Sequence, residues 1–184
     1  MGHSDIRYHG SHGEEDWEVT LADTGDRTMT GGRVHRAAAH LADGDEDFFL
    51  TYGDGVANID IDRLLSCHRD MNKELTLTAV RPASRFGELK IDAGVVTDFD
   101  EKSKAGANLI NGGFMVAKLT FVDRFLDNDP SLVLEQGPIE AAMAAGEVAA
   151  YKHPGFWQCM DTRREYALLN SLWDSGERPW TEAW

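Results

Sequence analysis

Phe48-Phe49-Leu50-Thr51-Tyr52-Gly53-Asp54-Gly55 begins as a short apolar run and stops at a Gly-Asp-Gly turn. A run without polar alternation reads as a strand covered on both faces, the central strand of an α/β sheet. The turn then falls at the carboxyl end of that strand, where open α/β sheets take their ligands. Asp54 sits between residues without side chains, so a partner can approach its carboxylate closely. That suits a hard cation carrying a phosphate, because Mg2+ accepts one or two carboxylates plus substrate oxygens. Asp between glycines also simply shapes turns, and the turn on its own favours that plainer role.

Upstream, Trp17 to Ala22 alternates apolar and polar residues and reads as a strand, broken by Asp23-Thr24-Gly25-Asp26. Thr30-Gly31-Gly32-Arg33 leads into Val34, Ala37, Ala38 and Leu41, one face of a helix stopped by Gly44. Downstream, Asp60 can cap a helix from Ile61 to about Asn72, with Leu64, Leu65 and Cys67 or His68 inward. His68 is read there as a buried, satisfied histidine rather than a ligand. Leu75 to Val80 is the next strand, and strand–helix–strand makes a βαβ crossover with a parallel sheet. Phe86 to Ile91 and Val95 to Phe99 flank Asp92-Ala93-Gly94 as a hairpin, with Glu101-Lys102 just past its second arm. Leu109 to Val116 is a strand interrupted by glycines, hence a bulge or a close ligand approach. Pro138 to Ala145 is a helix ended by Gly146, and Val148 to Lys152 is a late strand. Pro154 to Gln158 is a loop, and Asp161-Thr162 opens a last helix with Tyr166, Leu169, Leu172 and Trp173 on one side.

The 184 residues are enough for a single domain, 1–184, with a real core. Net charge is −14, which disfavours nucleic acid or an anionic membrane as a partner. A nucleotide is still admissible, since a local metal overrides the global field. No apolar run approaches the roughly 20 residues a membrane helix needs. Cys67 and Cys159 are too few for a disulfide framework, so a reducing cytoplasm is expected. His9 and His12 could hold a metal or belong to a mobile terminus.

The polar turns fall at strand ends in a particular order. Thr20-Leu-Ala-Asp-Thr-Gly-Asp, Met29-Thr-Gly-Gly-Arg-Val, Phe49-Leu-Thr-Tyr-Gly-Asp-Gly-Val-Ala, Arg85-Phe-Gly-Glu-Leu, Phe99-Asp-Glu-Lys, Ile110-Asn-Gly-Gly-Phe and Pro154-Gly-Phe-Trp-Gln-Cys-Met-Asp-Thr follow one another. Together they closely resemble the glucose-1-phosphate cytidylyltransferases, of the sugar-nucleotidyltransferase superfamily, from about Trp17 to the end of the chain. The resemblance implies a three-layer, mostly parallel Rossmann-like sheet with a small β-hairpin extension. It also implies transfer of CMP from CTP to α-D-glucose 1-phosphate, giving CDP-glucose and pyrophosphate on a route to surface-polysaccharide sugars. Asp54 and Asp161 correspond to the two carboxylates that hold Mg2+. Glu101 corresponds to the residue gripping sugar hydroxyls, Lys102 to the one meeting the sugar phosphate, and Asn111 and Gly112 to the sugar-binding segment. Tyr52 and Gly53 fall near the nucleotide, and Thr24, Gly25 and Arg33 resemble a nucleotide-side loop. Plainer roles stand beside these: Asp161 as a helix cap, Glu101-Lys102 as a solvated pair.

This chemistry brings two polyanions together, so positioning and charge neutralisation carry most of the catalysis. A lysine point charge suits the attacking phosphate. The family's opening strand, its Gly-Gly-x-Gly-Thr-Arg-Leu loop and its Lys-Pro-Lys-Pro segment have no counterpart here. The chain is therefore expected to start after the first βα units, to be incomplete at the N-terminus, and to be marginally stable or reliant on neighbouring subunits as a homo-oligomer. UTP or dTTP as the nucleotide, and a non-catalytic sugar-phosphate-binding or assembly domain, remain open alternatives.

Overall fold

The computed structural model describes residues 17–41, 44–82, 88–100 and 109–181. The chain runs α1 (Thr30–Ala38), β1 (Asp47–Thr51), β2 (Gly55–Ala57), α2 (Ile61–Met71), β3 (Leu75–Val80), β4 (Glu88–Asp92), β5 (Val95–Asp100), β6 (Ile110–Lys118), α3 (Leu119–Phe125), α4 (Pro138–Ala144), β7 (Val148–Lys152), β8 (Trp157–Cys159) and α5 (Arg163–Ser175). The fold is α/β, as expected.

Four strands form one sheet in the order β1-β6-β3-β7. β1 and β3 each pair antiparallel with β6, while β7 pairs parallel with β3. Three of the four strands thus point one way and β6 runs against them, so the sheet is mixed. The β1–α2–β3 crossover does return the chain in the same direction. It leaves a vacant position between the two strands, however, and β6 fills it.

β6 is accordingly covered on both faces, as is β3. Its Met115 and Ala117 join Leu75, Phe121, Val122, Leu126, Leu134, Ile139 and Ala142 in one core, beneath α3 and α4. Val116, on the opposite face, packs with Ile59 and Leu64 of the α2 side. Full burial of each such aliphatic or aromatic side chain contributes about 1.5–3 kcal/mol. β1 is not the central strand its composition suggested. It lies at the sheet edge among the described residues, with Phe48 and Leu50 against the core and Phe49 49% exposed. The apolar run hides an ordinary inside–outside alternation, because an apolar residue occupies the open face too.

Trp17 to Ala22 does not form a strand, and Trp17, Val19 and Leu21 stand largely exposed. Alternation supplies a face but no hydrogen-bond partner, and no strand lies beside this segment among the described residues. Elsewhere local signals held. The Asp60 side chain accepts from Arg63 N, capping α2 at 2.9 Å, and Asn72 closes it in the left-handed region. His68 is fully buried as expected, its Nδ1 2.8 Å from Thr76 Oγ1, but it is satisfied on one side only, since its Nε2 stands 3.4 Å from Asp47 Oδ1 without a formed hydrogen bond. Ala93 and Gly94, both at positive φ, form the two-residue turn of the β4–β5 hairpin. α3 was not anticipated, because β6 runs into it with no glycine or proline between them. Residues 1–16, with His9 and His12, lie outside the described residues.

The first turn of α1 is held by a loop rather than by a side-chain cap. Met29 N donates to Pro130 O at 2.8 Å, and Gly31 N and Gly32 N both donate to Leu132 O, at 2.9 and 3.3 Å. These bonds satisfy donors that a helix start leaves open. A Cβ on Gly32 would meet Asp129 O at 2.5 Å, so the glycine is required by how closely the loop approaches.

Candidate active site

The site begins with the shortest ladder among the described residues. β2 and β8 pair antiparallel, with Gly55 opposite Cys159 and Ala57 opposite Trp157. One step beyond, Met160 N donates to Asp54 O at 2.8 Å, which prolongs the ladder. Asp54 and Asp161 therefore leave adjacent strand ends side by side, and both line a cleft of about 840 Å3.

The bulge in β6 forms another wall. Leu77 and Ala79 of β3 face Met115 and Asn111, so β6 carries extra residues at Gly112-Gly113. Gly113 has φ 78°, and a Cβ there would lie 2.9 Å from Tyr52 Cδ2. Gly112 is as tightly placed, 2.7 Å from Val80 Cγ1 for the same hypothetical atom. Trp157 Nε1 donates to Gly112 O at 2.7 Å, and Tyr52 N donates to Gly113 O at 3.1 Å. Asn111 Oδ1 accepts from Gly113 N at 3.0 Å, which leaves the Asn111 amide hydrogens for another acceptor.

α5 supplies the far rim. Thr162, not Asp161, is its N-cap: Thr162 Oγ1 accepts from Glu165 N at 3.3 Å. Glu165 Oε2 accepts in return from Thr162 N at 2.9 Å and from Asp161 N at 3.0 Å, a capping box. The Asp161 carboxylate is thereby relieved of the capping role that the sequence left open. Ligand atoms of Cys159, Asp161 and Glu165 lie within 4.8 Å of one another. Asp54 lines the same cleft without belonging to that group. Burial and the neighbouring Asp161 push the Cys159 thiol up from its ordinary pKa. Burial, a hydrogen bond to Glu135 and the nearby Asp54 do the same to the Tyr52 phenol, which therefore keeps its proton.

The structure thus brings Tyr52, Asp54, Asn111, Gly112 and Asp161 to one cleft, with Gly53 in the turn beside them. Thr24, Gly25 and Arg33 come together elsewhere and do not line it. Arg33 Nη1 donates to Thr24 Oγ1 at 2.8 Å and Nη2 to Asp26 O at 3.2 Å, while Gly25 N donates to Asp23 Oδ1 at 2.9 Å. Glu101 and Lys102 lie outside the described residues. Trp157, Arg164 and Glu165 were missed, although Thr162-x-x-Glu165 carries the legible signature of a capping box. Among the described residues, Arg164 is the lining cation, against Asp54, Asp161 and Glu165.

No family model matches the chain. It is 48% identical over 166 residues to glucose-1-phosphate cytidylyltransferase of Salmonella typhi, covering 90% of this chain and 63% of that protein. It is 37% identical over 166 residues to the probable glucose-1-phosphate cytidylyltransferase of Bacillus subtilis, covering 90% and 64%. The chain thus spans a little under two thirds of these relatives. Among solved structures, a putative glucose-1-phosphate thymidylyltransferase from Bacillus anthracis superimposes with a TM-score of 0.58 at 13% identity, over 80% of this chain and 62% of that one. HddC from Yersinia pseudotuberculosis gives 0.55 at 17% identity, over 79% and 62%. These two likenesses concern the fold alone.

Proposed function

We propose, for a chain that belongs to the glucose-1-phosphate cytidylyltransferase family, that the cleft takes CTP and α-D-glucose 1-phosphate and makes CDP-glucose and pyrophosphate. The observation that carries this reading is the emergence of Asp54 and Asp161 side by side from the β2–β8 ladder, facing the Asn111–Gly113 bulge. In the reaction a phosphate oxygen of the sugar attacks the α-phosphorus in line. A new O–P bond forms, the bond to the β-phosphate bridging oxygen breaks, and pyrophosphate leaves. Two hard carboxylates that form no ion pair among the described residues suit Mg2+, and Asp54 and Asp161 would hold it. Bound there, the ion supplies Lewis-acid polarisation and charge neutralisation.

The remaining work falls to the chain's own groups. The Asn111 amide and the backbone of the bulge hold sugar hydroxyls, and Trp157 keeps the Gly112 carbonyl fixed. Glu101 and Lys102 are assigned to sugar hydroxyls and sugar phosphate by resemblance. Tyr52 closes the wall beside Asp54. CDP-glucose made this way would feed surface-polysaccharide synthesis. Among the described residues no helix is long and apolar enough to cross a membrane.

The test is product analysis with each of the four nucleoside triphosphates, Mg2+ and glucose 1-phosphate, alongside Asp54→Asn and Asp161→Asn. Both variants should lose Mg2+-dependent CTP binding in calorimetry. If Asp54→Asn keeps that affinity within about twofold, ~0.4 kcal/mol, the metal reading fails. Preferred turnover of UTP or dTTP would remove the cytidylyl assignment. A second reading, sugar-phosphate binding without transfer, draws support from a lining that, among the described residues, sets one arginine against three carboxylates. A thermal shift with glucose 1-phosphate and none with CTP plus Mg2+ would favour it.

A further inference from the structure

Tyr52 closes the chain of contacts that begins at the β6 bulge. Its ring packs on Gly113, its N–H holds the Gly113 carbonyl, and Gly113 N–H in turn holds Asn111 Oδ1. What fixes Tyr52 comes from a distant part of the sequence. Its phenol donates to Glu135 Oε1, and Glu135 Oε2 accepts from Thr30 Oγ1 at 3.4 Å. Thr30 Oγ1 accepts from Leu134 N at 2.9 Å, which ties the Glu135 loop to the start of α1. Glu135 does not line the cleft, so it touches no ligand there.

We propose that Glu135 is a positioning residue for sugar-phosphate binding, acting through the Tyr52 phenol to hold the Asn111–Gly113 bulge in its binding shape. The inference rests on the reading of the cleft given above. Several features support it. A carboxylate acceptor gives a stronger and more directional hold than a neutral one. The phenol it fixes lies two residues before Asp54, so one anchor serves both the sugar wall and the metal turn. A Cβ at Gly113 would stand 2.9 Å from Tyr52 Cδ2, so the ring lies close over the bulge, and loss of the anchor frees it to move relative to the bulge.

The experiment is calorimetric titration of the whole chain with glucose 1-phosphate, for wild type, Glu135→Ala, Tyr52→Phe, the double variant and Glu135→Gln. Glu135→Ala and Tyr52→Phe should each weaken binding by about tenfold, the worth of one charged hydrogen bond. The double variant should be no worse than either single, because the two residues act as one unit. Glu135→Gln keeps a neutral acceptor oxygen in place and should recover part of the affinity lost in Glu135→Ala. Partial rescue by Glu135→Gln is the readout a merely structural loss would not give, with a thermal melt of each variant showing that the fold is kept. Glu135→Ala binding within about twofold of wild type would overturn the inference and leave the reading of the cleft standing. Additive losses in the double variant would overturn it as well. Should Glu135→Ala fail to fold, Tyr52→Phe binding within about twofold of wild type would decide against it alone. A wild-type chain that binds no sugar phosphate would overturn both readings together, a distinguishable outcome.

Discussion

Replacing Gly32 by alanine sets helix propensity against geometry. In a helix, Gly→Ala ordinarily stabilises by about 0.5–1 kcal/mol. Here the added Cβ would stand 2.5 Å from Asp129 O and 2.8 Å from Thr28 Cγ2. The first of these is backbone, so it cannot rotate away, and the 129–132 loop must retreat from α1. Overpacking of this kind costs about 1–3 kcal/mol. The retreat also strains the bonds from Met29, Gly31 and Gly32 to the loop carbonyls, each worth about 1 kcal/mol. Set against the propensity gain, the net effect is destabilisation by about 2 kcal/mol, or a Tm lower by about 4–8 °C for a chain of this size. Gly31→Ala should be milder, because its nearest obstacle is the movable Leu132 side chain at 2.8 Å. Thermal melts followed by circular dichroism measure both. A Gly32→Ala chain melting at or above the wild-type temperature would refute the argument, and with it the assignment of these glycines to packing.

Two further outcomes are expected. Burial lowers the His68 pKa below its usual 6.5, with Asp47 opposing and Lys118 and Arg69 assisting. The folded state therefore binds fewer protons than the unfolded one, so the stability this group contributes is complete above pH 6.5 and declines as pH falls towards the folded-state value. Melting temperatures from pH 8 to 5 should fall more steeply for wild type than for His68→Gln. Thr162→Ala removes the cap from α5 and should lower stability by about 1 kcal/mol, read as a small Tm decrease, with Asp161 left in place.

Much of the site was written in local chemistry. Gly-Asp-Gly after an apolar run, and glycines interrupting Ile110 to Val116, mark backbone positions that other groups must approach, and both proved to line the cleft. What escaped was non-local. Nothing around Glu135 announces a partner at Tyr52, since the pair meets only after α1, β1 and the 129–135 loop have docked. Phe48 to Leu50 misled because apolar content reports burial, not the number of neighbouring strands. Trp17 to Leu21 misled for the complementary reason: a strand-like pattern forms no strand without a ladder to join. Thr24, Gly25 and Arg33 gather as a loop, yet proximity in sequence to a helix start did not bring them to the cleft.

The order β1-β6-β3-β7 also imposes a timetable on synthesis. β1, α2 and β3 leave the ribosome well before β6, and β7 comes later still. Among the described residues, neither β1 nor β3 has a sheet partner until β6 has emerged, although the β4–β5 hairpin can already close on itself. Within this stretch two strands bearing Phe48, Phe49, Leu75 and Leu77 therefore wait unpaired, the kind of surface that seeds aggregation. Nascent chains that stall before β6 is made should be the ones that most need a chaperone.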